Sequence, residues 1–328
     1  MAVCGHDLSR QFVPFMGRKA HITIVCCAIT RSAALSVLPV SRRSFAYGLG
    51  LTTAPGVAAA AARAADDVLS ELSARLASDA PKQFAFGSVP PGPDTLRFPG
   101  WLEGAWAVRS RLVATAAPLG ARFLPADLHA MRLSGAIDDP RGLRYAARFV
   151  RFADGGVRSD RKFNLASVQD AAAGYRRVEE VAYDARGRLQ VVYSEFGRNG
   201  TYAGPSRAEV YFTARRQSRA DDDAARFAFS ESTRTVFTRR FSSVAADGGR
   251  ITVADTETVT AFERQADGTL VARQRILRFL TPNPNSAEGV LWQEAQGRAV
   301  AILDYELALM PVPASVSDAA RRFTSGPS

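Results

Sequence analysis

Few side chains of this 328-residue sequence have the types and spacing of a familiar catalytic or metal site. All three cysteines (Cys4, Cys26 and Cys27) lie among the first 30 residues, and His129 is the only histidine after His21. A thiolate nucleophile, a disulfide framework or a zinc site of ordinary composition needs cysteines or several histidines. The rest of the chain cannot supply them, so the sequence predicts neither a metal nor any other cofactor.

His129 is the one imidazole left for acid–base chemistry. The segment around it, residues 127–131, lacks the glycine pattern of a nucleophile elbow, so a surface or core histidine is favoured over a serine–histidine mechanism. A second functional interpretation of His129 is a pH switch, because an unperturbed histidine changes its charge between roughly pH 5 and 8.

The carboxylates do not form a clearer catalytic pattern. Glu179 and Glu180 are neighbours on a predicted strand, so their side chains point to opposite faces and do not share a substrate. The three aspartates at 221–223 lack the spaced ligands of a calcium-binding loop. Together these residue patterns favour a protein without catalysis, although an enzyme that needs no metal stays open.

One constellation favours a ligand site. Gly104 and Trp106 form a Gly-x-Trp pattern at the start of the first predicted strand, which resembles the way lipocalin-like barrels begin. In such barrels the tryptophan closes one end, and the glycine lets the chain turn closely beneath it. A tryptophan that simply packs in a β core is the alternative. We predict that Gly104 and Trp106 form the floor of a ligand-binding pocket.

Period-two alternation after residue 100 predicts the strands that must position these residues. The alternating segments are 105–115, 143–151, 176–183, 189–193, 208–214, 227–241, 251–262, 270–280 and 299–310. One short internal helix is predicted at 164–173, with Asn164 as its N-cap and Gly174 as its stop. The expected fold is mainly β, an antiparallel meander that closes into a lipocalin-like barrel of about 8–10 strands.

Residues 1–64 have the features of two targeting signals in series. Residues 1–40 are rich in Ser, Arg, Ala and Val and almost free of acid, which is typical of an organelle transit peptide. A twin-arginine export signal follows in residues 41–64, with an apolar run and a small-x-small cleavage site. Its defining residues are Arg42, Arg43, Phe45, Ala62 and Ala64.

This order of signals predicts transport through a plastid to the thylakoid lumen and a mature chain that begins near Ala65. A bacterial periplasmic protein is one alternative, and a disordered N-terminus with an accidental arginine pair is the other. The apolar run of the export signal is too short and too interrupted for a membrane span. We also predict no transmembrane segment in the mature chain.

The remaining chain divides into three parts. An amphipathic helix and a proline-rich linker are predicted in 65–99, with prolines at 90, 91 and 93. The barrel domain is expected to occupy 100–312, and a tail 313–328.

The formal net charge of +10 raises the question of a nucleic-acid partner. Residues 1–65 hold seven of the 42 Lys and Arg residues but one of the 32 Asp and Glu residues. Residues 66–328 therefore carry 35 bases and 31 acids, a net charge of only +4. So small a surplus does not form the concentrated basic face of a phosphate binder, and we predict no nucleic-acid partner.

Several short motifs carry a resemblance to a known family. They are Phe-Pro-Gly-Trp-Leu-Glu-Gly-Ala-Trp at 98–106, Pro-Leu-Gly at 118–120 ahead of Phe123 and Leu124, Asp-Arg-Lys-Phe-Asn at 160–164, and the closing segment 299–311. Through them the chain resembles an uncharacterised domain-of-unknown-function family of plastid and cyanobacterial proteins. The resemblance implies a plastid compartment and a lipocalin-like β architecture, and it carries no catalytic residues.

Three functions are compatible with these observations. The first is a lumenal protein that binds a small hydrophobic molecule (a lipid, an isoprenoid or a pigment derivative) inside a β-barrel. The second is a non-catalytic interaction or assembly factor for a thylakoid membrane complex. The third is a metal-independent enzyme on a lipocalin-like fold, which rests on fold analogy alone.

Overall fold

The computed structural model describes residues 67–84, 96–125, 141–184, 187–196, 200, 202–239, 250–282 and 287–313. The two predicted targeting signals lie outside the described residues, and so do His129 and the tail after residue 313. The predictions made for them therefore stay predictions.

The described residues contain ten strands in one antiparallel sheet. The strands are β1 (Gly104–Ala116), β2 (Leu143–Arg151), β3 (Val157–Ser159), β4 (Val178–Tyr183), β5 (Leu189–Phe196), β6 (Tyr202–Gln217), β7 (Arg226–Arg239), β8 (Arg250–Arg264), β9 (Leu270–Phe279) and β10 (Ala301–Pro311). The spatial order is β3-β2-β1-β10-β9-β8-β7-β6-β5-β4. The sheet curls into a half-barrel, so the predicted mainly β, lipocalin-like fold is confirmed.

The described helices lie around this sheet. Helix α1 covers residues 67–77, α2 is Arg161–Ala173 and α3 is Ala287–Ala295, and short 3₁₀ helices lie at Gly100–Leu102 and Ala121–Phe123. No helix among the described residues is long and apolar enough to cross a membrane.

Helix α2 is the predicted internal helix, and it begins three residues before its predicted start. Asp160, not Asn164, is its N-cap, because a side-chain oxygen of Asp160 accepts a hydrogen bond from the Phe163 N–H at 3.3 Å. Gly174 ends the helix as predicted, in the left-handed conformation with φ of 76°. The prediction of Asn164 as the cap was wrong because Asn164 has another partner.

That partner is the backbone of β2, just beyond its pairing with the three-residue strand β3. The Arg148 N–H donates to Asn164 Oδ1 at 2.7 Å, and Asn164 Nδ2 donates to the Arg148 carbonyl at 3.0 Å. Near the other end of α2, Asp170 accepts from the backbone N–H groups of Arg177 and Val178, both at 2.8 Å. Helix α2 thus binds both edges of the sheet, because β3 and β4 are the two end strands.

Two clusters of buried side chains lie on the concave side. The larger cluster joins β1, β2, β3 and β7–β10 and includes Val168 of α2, whereas the smaller joins β4, β5 and β6 and includes Leu165 of α2. Helix α2 packs against both clusters and fixes the curvature between the two edges.

The N-terminal helix covers the opposite, convex face. Leu72 of α1 is fully buried against Ala228 of β7 and Val259 of β8. Arg75 pairs with Glu257, whose side chain is fully buried and also accepts a hydrogen bond from the Ser230 hydroxyl at 2.7 Å. The predicted helix before the β domain is therefore part of its packing.

Candidate functional site

A cavity lies on the concave side of the sheet. Its walls come from β1–β3, β7–β10, the N-terminal part of α2 and Phe98, which precedes β1. The space between the atoms is about 670 Å³, and this volume includes the part that opens to solvent. It therefore sets an upper limit on the size of a molecule that this cavity holds.

Four phenylalanine rings form a closed circuit along the cavity wall. The ring of Phe98 lies 5.0 Å from that of Phe149 and 5.3 Å from that of Phe229, measured between centroids. Phe262 completes the circuit at 6.4 Å from Phe149 and 6.2 Å from Phe229. Leu307 and Leu309 of β10 extend the same apolar wall.

Strand alternation brings these rings together, because side chains two residues apart share a face. Phe229 faces the cavity from β7, and Phe262 faces it from the neighbouring strand β8. Phe98 reaches the cavity through a bridge to β3, in which its N–H donates to the Val157 carbonyl at 2.9 Å. Residues far apart in sequence thus form one aromatic surface.

A buried ion cluster lies beside the aromatic wall. Arg161, from the first turn of α2, lines the cavity and donates through Nη2 to Oε1 of Glu231 on β7. Arg215 of β6 donates through Nε to the same oxygen at 2.8 Å. Arg161 and Glu231 are each 1% exposed, so both charges lie away from bulk water. Two guanidinium groups therefore share one buried carboxylate.

The two guanidinium groups also stack on one ring. The Arg161 and Arg215 guanidinium carbons lie 4.4 Å and 4.3 Å from the ring centroid of Phe212. Contacts of this length between a cation and an aromatic face are attractive, and more so where water is excluded. Phe212 therefore helps to fix the positions of both cations.

A register shift brings Arg215 to this cluster. Phe212 pairs with Thr233 and Ala214 pairs with Ser232, so one residue of β6 has no counterpart on β7. Such a bulge changes which face the following residues occupy. Arg215 then pairs directly with Glu231. A regular strand would have placed Phe212 and Arg215 on opposite faces.

Neutral polar groups complete the lining. Gln274 of β9 donates from Nε2 to Thr260 Oγ1 of β8 at 3.1 Å, and Asn164 of α2 donates from Nδ2 to Ser159 Oγ at 2.9 Å. All four residues are buried and line the cavity. The site thus combines an apolar wall with fixed hydrogen-bonding groups, the usual composition of a small-molecule pocket.

The two predicted pocket-floor residues lie near this site without lining it. Trp106 is buried in the same core cluster as the four phenylalanines, and its Nε1 donates to the Leu102 carbonyl at 2.9 Å. Val108, two residues further along β1, lines the cavity. Gly104 is exposed at the start of β1. Ligand contact by Trp106 or Gly104 stays a prediction.

The reason for a glycine at 104 differs from the expected close approach. A Cβ atom at Gly104 would meet no atom within 4 Å, so space is not what requires glycine there. The φ angle of 119° lies in a region that L side chains rarely adopt. Backbone conformation therefore explains this glycine.

The three residues of the buried ion cluster, Arg161, Arg215 and Glu231, were not predicted from the sequence. The alternation of β7 contains a signal, because Glu231 falls on the same face as Phe227 and Phe229. For Arg215 the sequence contains no such signal, since the bulge in β6 changes the face of the sheet on which Arg215 lies.

Arg234 of β7 lies outside the cavity and pairs with Asp255. The hydrogen bond and the charge of Asp255 raise the pKa of the Arg234 guanidinium.

Across the part of the chain that the structure describes, no group of three or more His, Cys, Asp or Glu side chains is placed to hold a metal ion.

Residues 90–313 match the family model described as "Domain of unknown function (DUF6816)". No curated protein and no solved structure shows a significant match to the chain.

Proposed function

We propose that this chain, which belongs to the DUF6816 family (a domain of unknown function), binds a small, largely hydrophobic molecule inside the half-barrel. A lipid, an isoprenoid or a pigment derivative has the required chemistry. The single observation that supports this proposal most is the circuit of four phenylalanine rings along the wall of a cavity that contains hydrogen-bonding groups.

The wall favours a ligand with rings or a branched chain. Aromatic faces gain about 0.5–1.5 kcal/mol from a well-placed aromatic neighbour beyond the burial of area. Burying an apolar ligand also contributes roughly 25 cal/mol for each Å² removed from water. The volume of about 670 Å³ includes space open to solvent, so the enclosed part of the cavity is smaller than this.

Filling the cavity tests this proposal. Ala147 of β2 lines the cavity, whereas Ala114 of β1 is exposed to solvent. We expect wild-type protein to bind the neutral fluorescent probe N-phenylnaphthylamine in a saturable way. Ala147→Phe should weaken that binding at least about tenfold, and Ala114→Phe should not change it. Overpacking a core costs about 1–3 kcal/mol, so circular dichroism is needed to confirm that each variant is folded.

Two results would contradict the proposal. One is a wild-type protein that gives no saturable fluorescence change. The other is a folded Ala147→Phe protein whose affinity equals that of Ala114→Phe.

We also propose that binding takes place in the thylakoid lumen, after residues 1–64 have been removed. The support is the order of the two signals in the sequence, an acid-poor extension followed by the arginine pair Arg42 and Arg43 and the small residues Ala62 and Ala64. A bacterial periplasm is the alternative compartment for the same export signal.

A surface cluster of aromatic rings favours a second candidate function, a non-catalytic interaction or assembly factor for a thylakoid membrane complex. The Phe196 ring lies 5.2 Å from that of Tyr175 and 5.7 Å from that of Tyr202. The three residues are 45%, 37% and 52% exposed. Contiguous exposed apolar surface of this kind marks many protein interfaces.

Migration on native gels of solubilised thylakoid membranes tests this second candidate. If the aromatic cluster binds a complex, Phe196→Ser should move the protein from the complex to its monomer position. Ile251→Ser, at another exposed apolar residue, is the matched control and should leave migration unchanged. Monomer migration of the wild-type protein would contradict a stable complex.

A further inference from the structure

We infer that the preferred ligand of the half-barrel is an alcohol, whose hydroxyl group binds Gln274 of β9 and Thr260 of β8. The inference rests on the proposed binding function and names its ligand class: an apolar body with one neutral hydroxyl group. A branched isoprenoid alcohol and an alcohol with rings share this chemistry.

Gln274 and Thr260 form a polar pair in a largely apolar part of the cavity wall. They lie directly opposite each other in the pairing of β8 with β9, and both line the cavity. Ala272 and Ile276 share the face of β9 on which Gln274 lies, and both belong to the larger core cluster. Gln274 is 7% exposed and Thr260 is 1% exposed. Polar side chains buried to this extent need hydrogen-bond partners.

The protein itself uses only part of the hydrogen-bonding capacity of this pair. Gln274 Nε2 donates to Thr260 Oγ1 at 3.1 Å. Within the described part of the chain, no group donates a hydrogen bond to Gln274 Oε1, and none accepts one from the Thr260 hydroxyl. An unused acceptor and an unused donor therefore lie side by side in the wall of the cavity.

A hydroxyl group on the ligand matches both unused groups. It has one hydrogen to donate and two lone pairs with which to accept. Its hydrogen donates to Gln274 Oε1, and its oxygen accepts from the Thr260 hydroxyl. A carbonyl, an ether or an ionised carboxylate only accepts, so each would leave Gln274 Oε1 without a donor. An ammonium group donates, but it brings a charge into a buried site at a high cost in free energy.

The polar pair lies close to the aromatic wall. Thr260 and Phe262 are two residues apart on β8, and both line the cavity. Two residues of a strand span about 7 Å, so a ligand whose hydroxyl group lies at Thr260 has its first carbon atoms beside the Phe262 ring. The circuit of four phenylalanine rings then contacts its apolar body. A few fixed polar groups in an apolar pocket determine how a ligand is oriented.

Competition between two compounds that differ in one hydrogen-bond donor tests the inference. Geraniol is a small isoprenoid alcohol, and geranyl methyl ether has a methyl group in place of the hydroxyl hydrogen. Both should displace N-phenylnaphthylamine from the wild-type protein. We expect geraniol to bind about tenfold more tightly than the ether, because the ether cannot donate to Gln274 Oε1. The ratio of the two affinities does not depend on how the fluorescent probe binds, since the same probe reports both.

Gln274→Met tests whether this preference comes from Gln274. Methionine is unbranched and of similar length, but it has no amide group. We expect the affinity for geraniol to fall about tenfold, so that geraniol binds no more tightly than the ether. The affinity for the ether should stay within about threefold of its wild-type value.

Gln190→Met is the matched control. Gln190 of β5 does not line the cavity, and its Oε1 accepts a hydrogen bond from Arg207 at 2.9 Å. This substitution should leave the affinities for geraniol and for the ether unchanged. If Gln274→Met weakens both compounds equally, Gln274 acts through the fold and the inference is overturned.

Three further results would overturn the inference. They are equal affinities of the wild-type protein for the two compounds, displacement of the probe by neither compound, and a folded Gln274→Met protein that keeps the tenfold preference. In each case, binding of N-phenylnaphthylamine still supports the proposed function. If that probe does not bind the wild-type protein, the proposed function fails and the inference with it.

Should Gln274→Met fail to fold, the wild-type protein decides. A crystal structure with geraniol should place the hydroxyl oxygen about 2.8 Å from Gln274 Oε1. A geraniol molecule bound elsewhere, or bound with its hydroxyl group directed to solvent, overturns the inference.

Discussion

At the scale of single residues, Glu231 and Arg215 reach the buried ion cluster for different reasons. Glu231 follows the regular alternation of β7 and shares a face with Phe229, so a charged residue on an apolar face could be predicted from the sequence. Arg215 reaches the same place through a bulge in β6, and no local pattern specified that bulge. The site was therefore only partly predictable from its residues.

Tyr193 allows a test of burial on the concave side. It lies in the smaller core cluster, where burial raises the pKa of its hydroxyl from 10.0 to about 12. In the unfolded chain the Tyr193 hydroxyl loses its proton at about pH 10, whereas in the folded chain it stays neutral until the pH approaches 12. The stability that Tyr193 contributes is thus complete below about pH 10 and is lost as the pH rises toward 12, up to about 3 kcal/mol.

We therefore predict that Tyr193→Phe loses less unfolding free energy than wild type between about pH 10 and 12, measured by urea denaturation. Tyr202→Phe is the control, because its ring is 52% exposed, and it should follow the wild-type curve. Equal losses in wild type and Tyr193→Phe would contradict the burial that the structure gives this ring.

At the scale of elements, the strongly alternating strands were predicted well and the irregular ones poorly. β6 runs from Tyr202 to Gln217, but the sequence predicted only 208–214, and Gly204 and Pro205 interrupt the alternation near the start of the strand. β3 has three residues, too few to show a period. Helix α3 was not predicted at all, because nine residues are too few to show a clear helical period.

Helix α2 matters most among the elements, because it connects the two edges of the sheet through Asn164 and Asp170. Asn164→Ala removes the acceptor of the partly buried Arg148 N–H. We predict a loss of about 1–3 kcal/mol in unfolding free energy. Binding of N-phenylnaphthylamine should also weaken, since α2 packs against both core clusters and forms part of the cavity wall. Lys162→Ala, at an exposed residue of α2, is the control and should stay within about 0.5 kcal/mol of wild type.

Chemical denaturation measures the stability of these two variants, and a fluorescence titration measures their binding. If Asn164→Ala is as stable as Lys162→Ala, the hydrogen bonds between α2 and β2 do not hold this edge of the sheet.

At the scale of the whole molecule, the sequence predicted the fold class and a ligand pocket but not the residues that line the cavity. Alternation and turn residues specify an antiparallel sheet locally. Whether its concave side is filled or open depends on the curvature that α2 and the segment around Phe98 impose through contacts between distant residues. Such contacts leave no local pattern in a single sequence.

The predicted targeting signals also belong to this scale. If residues 1–64 are removed after export, the mature protein begins near Ala65 and keeps α1, whose Leu72 is fully buried against the sheet. N-terminal sequencing of the protein from its own organism checks this, together with fractionation of the thylakoid lumen. A chain that begins at Met1 would contradict both the cleavage and the lumenal address.

The central claim is that the half-barrel holds a small molecule, and native mass spectrometry of the protein from its own organism tests it most directly. We predict one homogeneous additional mass that is lost on denaturation and that belongs to a small, largely hydrophobic compound. A mass equal to that of the bare mature chain, in a preparation that also fails to bind N-phenylnaphthylamine, would contradict the claim.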